Sequence, residues 1–407
     1  MLADDLAGAC DTGIEFLDIL GQVTVIVDSD APGKKPASQE ALNVWNTESR
    51  NLTATEAYEK VKRASRAAFT EDKRILFKKT DSAFRGNFGY EIAAVMDELH
   101  IKICCIAPAI PDFGRVTRNG VQYLDGKPIS ESFYSKDPRH PVTESNVLKV
   151  AAKGNSRPVG LLTLETLRGE ENNGTLKGLL DSGVEVIVVD GEFQEDLNRT
   201  VDIFLKQAGP LMFVGGQALG QAVARHCSKR SEKKNWSRIP KEPIMVVCGT
   251  LHPRSQEQMS VLSEASGIDP VWIEAYTENS SGNIKGIVDR ALVNLFNQFE
   301  NFGIGLLASP ADVKLDPNFV ENALAITVEK IFEHTSLSGL ILTGGTTAYK
   351  VCRRIGIASI ELRERIASGT ILAQVPSLSG MAVCNKGGSL GEPDALVKVA
   401  DRIKALI

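Results

Sequence analysis

The sequence predicts an α/β protein of two domains, each a largely parallel sheet layered with helices. Three observations lead there. Short β-branched runs alternate with stretches carrying apolar residues at helical spacing along nearly the whole chain. Its 407 residues amount to two to three domains of about 150 residues each. One charged, proline-ended run, Ser228 to Pro243, interrupts the alternation and leads directly into an apolar strand. That run reads as a solvated linker at 229–243, with domains of 1–228 and 244–407 on either side.

In the first domain the expected strands are Val23–Val27, Ile75–Lys79, Lys102–Ala107, Val159–Thr163, Val184–Asp190 and Leu211–Val214. The second series is Ile244–Cys248, Val271–Glu274, Gly305–Ala308 and Leu340–Thr343. Ala54–Phe69, Asn87–Leu99, Leu197–Ala208 and Asn283–Phe299 have the apolar spacing of helices, and such alternation builds parallel sheets. Asn119-Gly120 and Asp125-Gly126 read as the turns of a short hairpin. No internal repeat is evident.

Composition narrows the function classes. Hydrophobic residues make up 43% and charged residues 24%, ordinary globular values. A net charge of -5 lacks the broad positive field of non-specific nucleic-acid binding, and the basic run in the linker carries one aromatic, Trp236. No apolar run approaches the roughly 20 residues that span a bilayer. The seven cysteines are scattered, with no C-x-x-C pair, and read as small buried hydrophobes. Acids follow the first three residues where a signal peptide would be basic and then apolar. These features lead to the expectation of a cytoplasmic protein without nucleic-acid or membrane partners. Oligomeric state stays open, a homodimer included.

In the first domain, charged residues follow strands. Ala3–Gly13 is rich in small residues and carries Asp4, Asp5 and Asp11. If Met1–Ala3 ends a strand, Asp4 and Asp5 stand at the sheet edge where open α/β folds bind ligands. Three neighbouring carboxylates repel one another unless hydroxyls, a cation or a metal answers them, although a single Asp is also a favoured helix cap. The strand before them is short, and an N-terminus recorded a few residues downstream of the natural one would account for that. A second cluster, Lys78–Gly89, contributes Lys79, Asp81, Arg85, Gly86 and Asn87. Arg85 suits bidentate pairing with a carboxylate and Asp81 can accept from hydroxyls; an internal ion pair is the alternative. In the proline-rich loop Pro108–Thr117, Arg115 is the candidate.

Glycine takes over in the second domain. Gly249–Ser255 runs from a strand through Thr250 and His252 into a helix, with Ser255 in its first turn. Gly344-Gly345-Thr346-Thr347 does the same after Leu340–Thr343, and Lys386–Asp394 brings Gly388 and Gly391 before a closing helix. Free amides at such turns suit phosphate oxygens. Neither a P-loop nor a dinucleotide fingerprint is present, and the five histidines show no metal-ligand spacing.

In this order the clusters resemble the four-carbon acid sugar kinase family. Ala3–Gly13 matches its A-D-D-L-T-G-A-x-D-x-G pattern with Ala7 for Thr, and Lys78–Asn87 matches K-K-T-D-S-T-L-R-G-N with Ala83 and Phe84 for Thr and Leu. Pro108–Arg115 matches P-A-x-P-x-x-G-R. Looser matches are Gly249–Ser255 to G-S-C-S-x-x-T, Gly344–Ala348 to G-G-[DE]-T-[AS], with Thr346 at the acidic position, and Lys386–Asp394 to K-S-G-N-F-G-x-P-D. The resemblance spans the chain. It implies a sugar-acid-binding domain, a nucleotide-binding domain and a reaction in the cleft between them, in which ATP with Mg²⁺ phosphorylates O4 of threonate, erythronate or 3-oxo-tetronate. Asp81 and Arg85 are the expected catalytic pair, with Asp4, Asp5, Asp11, Lys79, Gly86, Asn87 and Arg115 binding substrate. Thr250, His252, Ser255, Gly344, Gly345, Thr346, Thr347, Gly388 and Gly391 are expected at the nucleotide; the metal ligands stay unassigned. A catalytically silent nucleotide and sugar-acid binder is the main alternative. A nicotinamide-dependent dehydrogenase would carry the glycine fingerprint that is missing.

Overall fold

Apolar runs bounded by polar turns become strands here because a parallel sheet covered by helices buries both faces of its inner strands, and Val186–Val189, Leu211–Gly215, Ile244–Cys248 and Ile304–Ala308 are buried throughout. The computed structural model describes residues 1–30, 42–69, 75–137, 139–227, 232–273, 284–309 and 316–407. Glu274, which ends an expected strand, Asn283, which begins an expected helix, and residues 228–231, where the expected first domain ends and the expected linker begins, lie outside the described residues. The chain forms two compact units, Met1–Gly21 with Ser29–Glu232, and Gln22–Asp28 with Lys233–Ile407.

Strands β1 (Leu2–Ala3), β2 (Val23–Ile26), β3 (Leu42–Asn46), β4 (Ile75–Lys79), β5 (Ile103–Ala107), β6 (Arg115–Arg118), β7 (Val121–Leu124), β8 (Lys127–Pro128), β9 (Val159–Leu162), β10 (Val186–Val189) and β11 (Leu211–Gly215) come first. All but β2 belong to the first unit, where β3-β1-β4-β11-β5-β10-β9 form a parallel sheet. A separate antiparallel ribbon, β6-β7-β8, forms around the two expected turns. Asn119 and Gly120 (φ 49° and 71°), like Asp125 and Gly126 (φ 49° and 79°), have the paired positive angles of tight hairpin turns. Helix α1 (Leu6–Gly13) follows β1. Helix α2 (Ala54–Ala68) starts at a capping box in which Thr53 and Glu56 exchange hydrogen bonds, and helix α3 (Phe88–Leu99) ends at left-handed His100.

The second unit contains β12 (Ile244–Cys248), β13 (Val271–Trp272), β14 (Ile304–Ala308), β15 (Gly339–Thr343), β16 (Ser359–Ala367), β17 (Thr370–Val375) and β18 (Met381–Lys386). Strands β13-β14-β12-β15-β18 run parallel, and β17, β16 and β2 continue the sheet antiparallel. Thus the early segment Gln22–Asp28 packs with the later residues because Ser359–Glu361 pairs with its Thr24–Ile26. Residues 232–243 of the stretch read as a solvated linker are described, and from Lys233 on they dock on this unit. Trp236 donates to Glu364, Gln374 holds both backbone groups of Ser237, and Ile239 is buried among Ile244, Leu372 and Ala382. Val246, Leu306, Ile341 and Ile403 belong to the same core. No helix of the described residues is long and apolar enough to cross a membrane.

Candidate functional site

Parallel strands end at one edge, so the loops leaving β1, β3, β4, β5 and β11 emerge together in the first unit. β1 releases Asp4 and Asp5, β3 leads through Thr47 to Arg50, and β4 leads through Thr80 to Arg85. Backbone bonds fix the first two loops to each other: Thr47 N donates to Ala3 O (2.8 Å) and Ser49 N to Asp4 O (3.1 Å).

Arg50 is the centre of the cluster. Its Nε donates to Asp4 Oδ2 (2.9 Å) and Nη1 to Asp5 Oδ2 (3.0 Å), while Nη2 lies 2.9 Å from both carboxylates and 3.9 Å from Asp81 Oδ1. Lys79 Nζ adds bonds to Asp4 (3.3 Å) and Asp5 (3.1 Å). Arg85 grips Asp81 through Nε and Nη2 at 2.9 Å each, and its backbone N reaches Asp81 Oδ2 at 3.1 Å. Three carboxylates and three cations are thus interleaved, with Asp4, Lys79 and Asp81 buried. Burial opposes ionisation of Asp5 and Asp81. Arg50 and Lys79 outweigh it at Asp5, and Arg85 and Arg50 at Asp81, holding both carboxyls well below the usual range. Lys79 is raised in spite of its burial, because Asp4 and Asp5 face it.

Arg115 belongs to a neighbouring group. It donates through Nη1 to Ser82 Oγ (2.8 Å) and through Nη2 to the Tyr134 hydroxyl, while its buried Nε has no partner among the described residues. The Arg85 and Arg115 guanidinium carbons sit 5.0 and 5.5 Å from the Tyr134 ring centroid, and Arg85 Nη1 reaches Asp137 Oδ2 at 3.2 Å. The two arginines therefore face one aromatic ring, a cation–π arrangement that lets like charges stand close.

Other expected residues support this group. Asn87 Nδ2 donates to Ser49 O and Leu52 O, clamping the turn that carries Arg50. Gly86 (φ 87°) packs so closely on Arg50 that a Cβ would lie 2.9 Å from its Cγ and O. Asp11, on α1, faces the Gln217 amide at the start of helix α4 (Gln217–Ala224). Sequence reasoning missed Arg50, Tyr134, Asp137 and Glu48. Glu48 (φ 44°) accepts from Asn46 Nδ2 (3.2 Å), and burial followed by the nearby Asp5 charge pushes its carboxyl up to about 8.

In the second unit, β12, β15 and β18 are adjacent and parallel, so the three glycine-bearing turns also meet at one edge. His252 caps helix α5 (Pro253–Ser266), its Nδ1 accepting from Arg254 N (3.2 Å). Ser255 Oγ donates to Gly388 O (2.6 Å), joining the first turn to the third. Gly344 (φ 101°) precedes helix α6 (Gly345–Arg354), whose first turn holds Thr346 and Thr347 and has no side-chain cap. A Cβ on Gly249 would lie 2.0 Å from Thr347 Oγ1, and one on Gly388 2.8 Å from Thr250 Oγ1. Gly391 O is held by Gln258 Nε2 at 3.1 Å. The nine residues expected at a nucleotide thus lie on three packed turns.

Two family models match the chain, a sugar-binding N-terminal domain over residues 1–223 and a nucleotide-binding C-terminal domain over residues 245–396. The chain is 28% identical to a D-threonate kinase of Cupriavidus necator, covering 97% of this chain and 95% of that one. It is 25% identical to a D-threonate kinase of Salmonella typhimurium (97% and 96%) and 24% identical to a D-erythronate kinase of Heliobacterium modesticaldum (98% and 96%). A solved Salmonella typhimurium structure shares the fold with a TM-score of 0.81 at 18% identity, covering 98% of both chains. With both domain models matched in order and relatives aligned over nearly their full lengths, the chain belongs to the four-carbon acid sugar kinase family.

Proposed function

We propose that the protein is an ATP-dependent kinase that transfers the γ-phosphoryl group to the terminal O4 hydroxyl of threonate, erythronate or 3-oxo-tetronate. The observation that carries this reading is the interleaved group of Asp4, Asp5, Asp81, Arg50, Lys79 and Arg85 in the sugar-binding unit. Its carboxylates and cations now answer one another; exchanged for a ligand, the carboxylates would accept from hydroxyls and the arginines would pair with a carboxylate, so the group suits a ligand carrying both. Residues 1–228 would bind the sugar acid and residues 244–407 the nucleotide.

In this mechanism Arg85 and Arg115, both against the Tyr134 ring, clamp the substrate carboxylate. Asp4, Asp5 and Asp11 order its hydroxyls. As Arg85 turns to the substrate, one Asp81 oxygen is released to accept the hydrogen of the attacking hydroxyl. An acid as strong as Asp81 is a weak base. Phosphoryl transfer passes through a loose transition state in which positioning and charge neutralisation dominate, so a positioned acceptor suffices. Mg²⁺ bound with the nucleotide would supply part of that neutralisation. In the second unit Thr346 and Thr347 would offer it hard oxygen donors, and the buried Thr343 hydroxyl, without a partner among the described residues, stands just before them.

A coupled ADP-release assay with ATP, Mg²⁺ and a panel of four-carbon acids tests the reading. One acid is expected to stimulate release; if none does, the kinase reading fails. An Asp81→Ala protein that keeps full turnover would remove Asp81 from the mechanism. The second reading, a silent binder of the same ligands, is favoured by Thr346 at the family's acidic position, and it requires binding without ADP release.

A further inference from the structure

The turn after β18, Gly387–Glu392, is sorted by the side chains beneath it. Lys386 Nζ donates to Gly387 O (2.8 Å) and Leu390 O (3.0 Å), and Ser255 Oγ donates to Gly388 O (2.6 Å). Gln258 Nε2 reaches Leu390 O and Gly391 O at 3.1 Å each and Glu392 O at 2.8 Å. In a trans peptide the carbonyl and the next residue's N–H point in opposite directions. Tying down the carbonyls of Gly387, Gly388, Leu390 and Gly391 therefore turns the amides of Gly388, Ser389, Gly391 and Glu392 away from the tethers. Those four amides have no acceptor among the described residues. Successive amides aimed one way make an anion-binding concavity.

The charge beneath the turn points the same way. Lys386 is fully buried, as are Ser255 and Gln258. Buried Lys78 lies 2.6 Å from Glu91, and Lys79 pairs with Asp4 and Asp5. Lys386 meets backbone carbonyls and no carboxylate among the described residues. A buried ammonium is costly unless a counter-charge answers it. Gln258 Oε1 is buried without a partner among the described residues, so the three tethers at Nε2 fix the orientation of that amide.

We propose that Lys386, Gln258 and Ser255 are positioning residues of an anion cradle, holding the Gly387–Glu392 turn with its amides outward, and that a ligand's diphosphate supplies the negative charge Lys386 lacks. This deepens the nucleotide reading of the second unit and rests on it for the ligand's identity. The probe is inorganic pyrophosphate, titrated calorimetrically into the full-length protein and into Lys386→Gln and Gln258→Met. Lys386→Gln keeps a donor for the carbonyls and removes the charge. Gln258→Met keeps the shape and removes the tethers. Wild type is expected to bind pyrophosphate and each folded variant to bind at least tenfold more weakly. KM for ATP should rise while KM for the sugar acid holds, a split that general loss of structure does not give. Where a variant fails to fold, Ser255→Ala, which frees the Gly388 carbonyl, carries the test. No pyrophosphate binding by wild type, or unchanged affinity in the folded variants, overturns the proposal. If pyrophosphate binds as expected while no four-carbon acid stimulates ADP release, the cradle stands and the kinase reading falls.

Discussion

Removing the Arg50 guanidinium leaves three carboxylates facing Lys79 and Arg85, and no other side chain reaches Asp4, Asp5 and Asp81 at once in this group. Lysine at this position keeps the charge but cannot make the forked bonds. Arg50→Lys is therefore expected to lower kcat/KM for the sugar acid about 100-fold, roughly 2.7 kcal/mol of transition-state stabilisation. Steady-state kinetics on a folded variant decides it, and a change below fivefold refutes the role. Glu48 makes a pH prediction. Its folded carboxyl titrates at about 8 and its unfolded one at 4.5, so the native state holds the extra proton between those values. Stability from this group is present below pH 4.5 and is lost as pH rises through 8. Glu48→Gln mimics the protonated form, so its stability relative to wild type should climb from pH 5 to 9 in urea titrations. A constant difference would show that Glu48 ionises normally.

Much of the acid and base content of this group was legible in the sequence, because Asp4 and Asp5 open a cluster of small residues, and Lys79, Asp81 and Arg85 end or follow the apolar run Ile75–Phe77. Arg50 was not. It follows β3, where Asn43 and Asn46 interrupt the apolar pattern of Leu42, Val44 and Trp45, and the strand shows itself through its parallel pairing with β1 rather than through its sequence. Strand β16 was obscured for a related reason. Glu361, Arg363, Glu364 and Arg365 give β16 a polar surface, and irregularities in its pairing break its alternation. Conversely, the Asn-Gly and Asp-Gly turns announced the β6–β8 ribbon, because their backbone angles are a local property. The small residues of α1 suggested room for a ligand, and the close approach found there is by Lys79. A Cβ on Gly8 would lie 1.9 Å from Lys79 Nζ. Gly8→Ala must push that ammonium off Asp4 and Asp5. It is expected to cost about 1–3 kcal/mol of stability and to raise KM for the sugar acid. If α1 gains its alanine with neither change, Lys79 does not need that place.

Across the whole molecule, chain order and folding unit diverge at one point. The second unit takes β2 from residues 22–28, far from the rest of its sequence. Val23, Val25, Ile26 and Val27 are all buried, Val27 N donates to Ala358 O (3.0 Å), and Asp28 lies 3.5 Å from Arg353 Nε. A fragment of residues 233–407 would therefore expose the β16 edge at Ser359–Glu361, and an unpaired edge is a template for aggregation. Burying an aliphatic side chain is worth about 1.5–3 kcal/mol, so even a fraction of the four β2 residues amounts to several kcal/mol. The fragment should melt about 10 °C below the same fragment carrying residues 22–28 on a flexible tether, and it should aggregate sooner. Calorimetric melting with light scattering compares the two. Equal melting temperatures would mean that β16 tolerates an open edge and that the second unit folds from its contiguous residues alone. A gain on restoring seven residues would mean that the nucleotide-binding unit depends on chain from the sugar-binding half for its own stability.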